Sequence, residues 1–157
     1  MIRRGNVFGP ADVFSDRDSG LAPVGRLDKD SHGLLILSND GVLAKAIIGP
    51  ESDLEKEYHV RVRGELFEEK IAWLRHGLEL DGRKLKPAKV TQTSAQSLTF
   101  ILKEGRNRQI RRMCYMCELT VVDLLRVRIG SLSLGNLPEG QWRLLTPQER
   151  TGLVGQA

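Results

Sequence analysis

The sequence predicts an α+β domain with a mainly antiparallel or mixed central sheet and a few flanking helices. Three observations predict this class: short apolar runs with strand periodicity, turn residues between most of them, and only a few stretches with helical spacing. The 157 residues suffice for one domain with a sizeable core. We expect residues 1–22, rich in Gly, Pro, Asp and Ser, to be a poorly structured lead-in or truncated start, and residues 23–157 to form the domain.

The first predicted elements are a strand over residues 33–38 and a helix that follows it. Asp40 lies where an N-cap is needed, and the apolar residues after it recur at helical spacing. Residues 57–63 alternate instead, with Tyr58 and two valines on one face and charged residues on the other. This alternation predicts a half-buried strand.

A second helix is predicted over residues 65–76, with Gly77 as its C-cap. Residues 89–93 and 98–102 have the pattern of two strands joined in a hairpin. Pro147 opens a short terminal helix in its first turn. Later strands are predicted over residues 121–129, 132–134 and 141–145.

Positive charge is concentrated in the last third of the chain. The formal net charge is +4 and the isoelectric point is about 9.3. Residues 101–157 carry nine basic and five acidic side chains, which accounts for the whole excess. A localised positive surface favours a polyanionic partner over a role in solubility alone.

The arginines of residues 104–113 are patterned as well as numerous. If Asn107 caps a helix, apolar side chains line one side of it and arginines the other. A solvated basic face is the simpler interpretation. The free N–H groups of a helix N-terminus and the bidentate geometry of arginine favour phosphate instead, and a later strand adds Arg126 and Arg128. The apolar side comprises Ile110, Met113, Cys114 and Cys117, and the basic side comprises Arg108, Arg111 and Arg112.

Other classes of site are disfavoured by the composition. Cys114 and Cys117 lack the second cysteine pair or clustered histidines of a zinc site, so we expect reduced structural thiols and no metal or cofactor. No apolar run is long enough to span a bilayer, and residues 1–4 lead into no signal-like segment. We therefore expect a cytoplasmic protein without a membrane partner.

Asp28 lies in a segment, residues 25–37, that places charged residues directly before an apolar run. An ionised carboxylate held by an arginine at a pocket wall could act as a nucleophile or base. A turn or capping role is the simpler alternative. A divalent-cation site shared with Asp30 is a third interpretation. The neighbouring Arg26 and Lys29 disfavour it, because their positive charges already compensate the carboxylates.

Tyr58 also has two interpretations. On the apolar face of its strand it is most simply a core aromatic residue. It could instead provide a flat surface on which a base stacks. Trp73 and Trp142 have the pattern of packing residues, so an extended stacking platform for single-stranded RNA is not expected.

Three segments, in order, resemble motifs of the pseudouridine synthases, in particular the branch of RsuA, RluB and RluF. Gly25-Arg26-Leu27-Asp28 resembles the catalytic loop of that family. Lys56-Glu57-Tyr58-x-Val60 resembles its tyrosine-bearing strand, and residues 104–113 resemble its arginine motif. The resemblance covers roughly residues 22–150, and the order of all three motifs makes it specific.

The resemblance implies the pseudouridine synthase catalytic fold and an isomerase that converts a specific uridine of RNA to pseudouridine. Ribosomal RNA is the expected partner, since the branch mostly acts there, although some relatives also accept transfer RNA; we expect a monomer. Asp28 would be the essential carboxylate, Tyr58 would pack under the target uracil, and Arg111 would pair with Asp28. Arg26 would help to extrude the nucleotide. The expected RNA contacts are Lys56, Arg106, Arg108, Arg112, Arg126 and Arg128.

Two features of the family are not visible in the sequence. Family members begin the catalytic domain with an earlier strand carrying a Lys-Pro-x-Gly motif, and many have a small RNA-binding domain of the S4 type. A non-catalytic RNA-binding module that keeps the synthase scaffold is therefore the alternative function. A carboxylate-dependent glycosidase or other hydrolase is a third possible function. Such an enzyme usually needs two carboxylates, and only Asp30 is near Asp28 in sequence.

Overall fold

The computed structural model describes residues 21–106 and 108–155. Its contacts divide the chain into two compact units: the first contains residues 21–54 and 126–155, the second residues 55–125. Residues 1–20 of the predicted lead-in lie outside the described residues, whereas Ala22 belongs to a strand. That residues 23–157 form one domain stays a prediction.

The first unit combines short strands with two helices. Strands β1 and β3 pair in antiparallel fashion, and β10 pairs with the end of β9. The helices α1 and α4 contact each other, and both contribute to an apolar core that includes Leu43, Ile47 and Leu153. The elements are β1 (Ala22–Val24), β2 (His32–Gly33), β3 (Ile36–Ser38), α1 (Gly41–Ile48), β10 (Leu132–Ser133) and α4 (Pro147–Gly155), together with the last residues, from Arg126, of β9, a strand that runs over Thr120–Ile129.

The strand predicted over residues 33–38 is two strands. Strand β2 pairs with β9, whereas β3 pairs with β1. The break follows Gly33, whose φ of +119° belongs to a region that L side chains rarely adopt. The apolar run was therefore recognised correctly as strand-like, but the change of partner within it was not predicted.

The caps of both helices in this unit agree with the sequence. Asp40 accepts from the N–H groups of Val42 and Leu43, as its predicted N-cap role requires. Hydrogen bonding by Arg150, then by the Leu43 N–H, holds the pKa of the Asp40 carboxyl below its usual value. The terminal helix begins at Pro147, as predicted.

A capping box precedes α4. The Glu149 N–H donates to the Thr146 hydroxyl, and the Thr146 N–H donates to the Glu149 carboxylate. Arg143 also donates to Glu149 at 2.6 Å and, with the Thr146 N–H, lowers the carboxyl pKa to about 2. The predicted strand over residues 141–145 is wrong, because this stretch lies mostly exposed beside no partner strand within the described chain.

The second unit is built on a sheet with the order β9, β4, β8, β7, in which the β4–β8 and β8–β7 pairs are antiparallel. The β7–β8 hairpin confirms the prediction for residues 89–102. One sheet face and two helices enclose a core centred on Phe100, which is 0% exposed. The elements are β4 (Lys56–Arg63), α2 (Glu68–Arg75), β5 (Glu79–Leu80), β6 (Arg83–Lys84), β7 (Lys89–Ser94), β8 (Ser97–Leu102), α3 (Gln109–Met116) and the first residues of β9. The predicted α+β class is confirmed.

Two details of this unit differ from the predictions. Helix α2 is shorter than residues 65–76, and its C-cap is His76; Gly77 follows with φ +98°. The β5–β6 hairpin was not predicted, although Asp81-Gly82 at its turn is a strong hairpin signal. Both turn residues have positive φ, 54° and 77°, as a type I′ turn requires.

Candidate functional site

The loop that carries Asp28 follows β1 in the first unit and is anchored on both sides. Leu27 and Ser31 are only 3% and 2% exposed. The Ser31 N–H donates to the Asp28 carbonyl oxygen at 2.9 Å, which closes a tight turn. Asp28 itself is half-buried and Arg26 is exposed. These contacts fix the backbone at Asp28, whose side chain lies half-buried at the surface of this unit.

A close backbone approach fixes the end of that loop. The Leu34 N–H donates to the Arg126 carbonyl oxygen at 2.8 Å, which joins β2 to β9. A Cβ atom on Gly33 would lie 2.3 Å from that same oxygen and 2.6 Å from the Arg126 nitrogen. Only glycine fits this crossing, because any side chain would overlap the backbone of β9. We call this contact the β2–β9 crossing.

The side chain of Arg126 reinforces the β2–β9 crossing. It is 5% exposed, and its Nε donates to the Leu34 carbonyl oxygen at 2.9 Å. Arg128, further along β9, donates from Nη1 to the Gly130 carbonyl oxygen at 2.8 Å. Both were predicted to contact RNA. For the buried Arg126, the hydrogen bond to the Leu34 carbonyl oxygen indicates a structural role; RNA contact by either residue stays a prediction.

Tyr58 lies on β4 in the second unit, directly opposite Phe100 of β8. Its half-buried side chain packs against the core of this unit. A half-buried ring is compatible with both interpretations, the core aromatic residue and the stacking surface. Lys56, on the same strand, is also half-buried and lies opposite Leu102.

Arg106 holds the β5–β6 hairpin. Its Nη1 donates to the Leu80 carbonyl oxygen at 2.9 Å, and its Nη2 donates to the Lys84 carbonyl oxygen at 3.3 Å. Its Nε lies 3.7 Å from a carboxylate oxygen of Glu104. Like Arg126, Arg106 was predicted to bind RNA and uses its guanidinium on backbone carbonyls.

Helix α3 has the two faces that the sequence predicts. Ile110, Met113 and Cys114 are buried, as is Cys117 just after the helix, whereas the arginines are exposed or half-buried. The predicted cap, Asn107, lies outside the described residues, and Arg108 occupies the N-cap position with φ 51°. Burial raises the pKa of the Cys114 thiol to about 12 and also raises that of Cys117. These thiols are free and buried, which agrees with a structural role.

The polar face of α3 borders a pocket of about 450 Å³, which we call the α3 pocket. The guanidinium-bearing residues Arg108, Arg111 and Arg112 lie along it, together with Tyr115 and Met116. Arg112 donates to the Asp81 carboxylate at 2.7 Å. Tyr115 is 81% exposed and was not singled out from the sequence. Its position four residues after Arg111 on the polar face was the signal that could have identified it.

The first unit contains a different pocket, of about 410 Å³. Its walls are mostly leucines, with Trp142 and Arg143, and it includes none of the predicted catalytic or RNA-binding residues. Within residues 21–106 and 108–155, no three His, Cys, Asp or Glu side chains are grouped so as to hold a metal ion. None of the helices in these ranges is long and apolar enough to cross a membrane.

The predicted site residues are shared between the units. Arg26, Asp28, Arg126 and Arg128 belong to the first unit. The second unit contains the others and brings three of the arginines together beside α3. That Asp28, Tyr58 and Arg111 act on one nucleotide stays a prediction.

Comparison with known proteins identifies the family. A family model described as RNA pseudouridylate synthase matches residues 10–115. The dual-specificity RNA pseudouridine synthase RluF of Escherichia coli strain K12 is 40% identical over 136 residues, which cover 87% of this chain and 47% of RluF. The ribosomal large subunit pseudouridine synthase B of Bacillus subtilis is 38% identical over 146 residues, which cover 88% of this chain and 59% of that enzyme.

A solved structure supports the same assignment. A crystal structure of a pseudouridylate synthase, 32% identical in sequence, superposes with a TM-score of 0.85 over 90% of this chain and 64% of that one. The chain thus spans about half the length of the curated relatives it matches. Since the family model covers most of the chain and all three motifs lie in order, the chain belongs to the RNA pseudouridine synthase family, in the branch of RluF and RluB.

Proposed function

We propose that this chain is an RNA pseudouridine synthase that isomerises a specific uridine, with ribosomal RNA as its substrate. The match of the family model to residues 10–115 carries this proposal. The names of the relatives support ribosomal RNA, since one of them is a ribosomal large subunit pseudouridine synthase. The name of RluF states dual specificity. Transfer RNA, which the family resemblance offers as an alternative, is the second substrate to test. We further propose that the protein acts as a monomer in the cytoplasm.

The reaction requires a positioned carboxylate and no redox partner. The N1–C1′ bond of uridine breaks, the uracil rotates, and a C5–C1′ bond forms; C5 loses its hydrogen and N1 gains one, so the product is an isomer. Asp28 would act either as the nucleophile at C1′ or as the base that removes a sugar proton. The anchored loop between Leu27 and Ser31 supports this role, because a fixed carboxylate loses less entropy on reaching the reactive geometry.

The other roles are carried over from the family motifs. Tyr58 would support the face of the target uracil, and the half-buried ring on β4 is consistent with that role. Arg111 would pair with Asp28 and keep it ionised and oriented. Arg26, exposed beside the Asp28 loop, would occupy or open the space of the extruded nucleotide.

Asp28→Asn tests the reaction. We expect this variant to fold and bind RNA like the wild type but to form no pseudouridine, because an amide can neither attack C1′ nor accept a proton from the sugar. Pseudouridine in ribosomal RNA fragments is detected as its carbodiimide adduct, with transfer RNA as a parallel substrate. Asp30→Asn is the matched control, since it removes a nearby exposed carboxylate. Normal turnover by Asp28→Asn would overturn the assignment.

Mapping pseudouridines in cellular RNA with and without the protein identifies the target. One missing modification in ribosomal RNA is the expected result. A wild-type protein that binds these RNAs and forms no pseudouridine in any of them would instead indicate the non-catalytic RNA-binding module.

A further inference from the structure

The α3 pocket contains an aromatic ring, that of Tyr115, that is largely exposed and not packed into the core of its own unit. Tyr115 is 81% exposed, although it lies on a helix whose opposite face is fully packed. Met116 beside it is 47% exposed. An aromatic ring left in water contributes little to the stability of the folded chain, whereas a ring of this kind provides a face on which a planar ligand can stack.

The charges around this ring select the kind of ligand. Three guanidinium groups, those of Arg108, Arg111 and Arg112, line the same pocket. Among the described residues that line the pocket there is no Asp or Glu, and Asp81, which pairs with Arg112 at 2.7 Å, lies outside that lining; the lining itself is therefore positively charged. Guanidinium groups bind phosphate oxygens in a bidentate fashion. The ligand that matches both features is planar at one end and anionic at the other.

The size of the pocket is in keeping with one nucleotide. Its volume of about 450 Å³ lies within the range of small-molecule sites, roughly 300–1,000 Å³. The walls combine apolar surface from Leu80 and Met116 with the arginines, so that a base and its phosphate would each meet a suitable surface.

We propose that the α3 pocket binds one nucleotide of the substrate RNA other than the target uridine. Its base stacks on Tyr115, and its phosphate contacts Arg108 and Arg112. This inference rests on the proposed function, because it takes RNA to be the substrate. It adds a position at which the enzyme reads the presence of an unpaired base, and therefore a preference for a substrate RNA with a nucleotide that is free to leave its stack.

The second unit provides a matched control. Trp73 on α2 is also an exposed aromatic residue, 50% exposed, but it does not line the α3 pocket, and Glu69 precedes it by one helical turn. If any exposed ring sufficed for RNA binding, Trp73 would contribute as much as Tyr115. If the α3 pocket is the site, only Tyr115 contributes.

The test measures affinity for a fluorescein-labelled RNA hairpin with a uridine loop by fluorescence anisotropy. We expect Tyr115→Ala to weaken binding about tenfold and Tyr115→Phe, which keeps the ring, to bind within about twofold of the wild type. Trp73→Ala is expected to bind like the wild type. Circular dichroism establishes that each variant is folded, which is expected because both replaced side chains are exposed.

An abasic scan of the loop then locates the contact. For the wild type, removing the base at one loop position should weaken binding about tenfold, and for Tyr115→Ala the same removal should have no further effect. Equal affinities of Tyr115→Ala and wild type, or an equal response of both proteins at every abasic position, would overturn the proposal. The binding measurement does not require turnover. If the protein shows this pattern but forms no pseudouridine, the proposed reaction is contradicted and the proposed nucleotide site still stands.

Discussion

Arginine has different roles in two regions of this molecule. At the β2–β9 crossing of the first unit, Arg126 is 5% exposed and its Nε donates to the Leu34 carbonyl oxygen. At the α3 pocket of the second unit, Arg108 is exposed and Arg112 pairs with Asp81 at the surface. Basic residues in the last third of the chain therefore indicate a polyanionic partner without indicating which arginines contact it. Some of them hold the scaffold.

Replacing Gly33 with alanine should have the largest effect on stability. The new Cβ would lie 2.3 Å from the Arg126 carbonyl oxygen, and φ of +119° is unfavourable for alanine. We expect a loss of about 3 kcal/mol in the free energy of unfolding, measured by urea denaturation. The matched control is Gly41→Ala at the start of α1, where no atom lies within 4 Å of the added Cβ. Equal stability of Gly33→Ala and wild type would mean that β2 and β9 are not held in contact.

Arg126→Met should destabilise the protein by about 2 kcal/mol, because a buried hydrogen bond from a charged donor to the Leu34 carbonyl oxygen is lost. The salt dependence of RNA binding should stay unchanged, since the guanidinium is buried in the β2–β9 crossing. Urea denaturation and salt titrations of RNA affinity measure the two effects separately. A smaller salt slope at wild-type stability would place Arg126 with the RNA-binding arginines instead.

Arg108→Ala should show the opposite pattern. We expect near wild-type stability, because the Arg108 side chain is exposed, and a smaller dependence of log affinity on log salt, by about one. Arg112→Ala should also reduce the slope, although pairing with Asp81 already compensates part of its charge. The measurement is RNA affinity between low and physiological salt. An unchanged slope for both variants would remove them from the phosphate contacts.

Glu149→Gln should give the smallest effect and has a defined pH dependence. Arg143 and the Thr146 N–H lower the pKa of Glu149 from 4.5 to about 2, so the ionised carboxylate stabilises the fold above about pH 4.5. That contribution is lost as the pH falls from about 4.5 through about 2. The variant should therefore be slightly less stable than wild type at pH 7 and approach it in acid, as measured by urea unfolding. A constant difference at all pH values would contradict the proposed role of the ionised capping box.

Local patterns account for most of what could be predicted. The alternation on β4, the β7–β8 hairpin, the Asp40 cap and the two faces of α3 all follow from spacing within a few residues, and the structure confirms each of them. The predicted strand over residues 141–145 was wrong because an apolar, strand-like stretch forms a strand only where a partner lies beside it. The roles of Asp28, Tyr58 and Arg111 were assigned from the family resemblance and stay predictions.

The sequence alone determined the fold class, most elements, the basic character of the last third and the three motifs that assign the family. The folded structure was needed to show that Arg106 and Arg126 donate to backbone carbonyls, that Gly33 permits two strands to cross, and that Tyr115 borders a pocket with three arginines. The physical reason is distance along the chain. Periodicity and capping act over one or two helical turns, whereas a guanidinium finds its acceptor 26 or 92 residues away, and no local pattern encodes that choice.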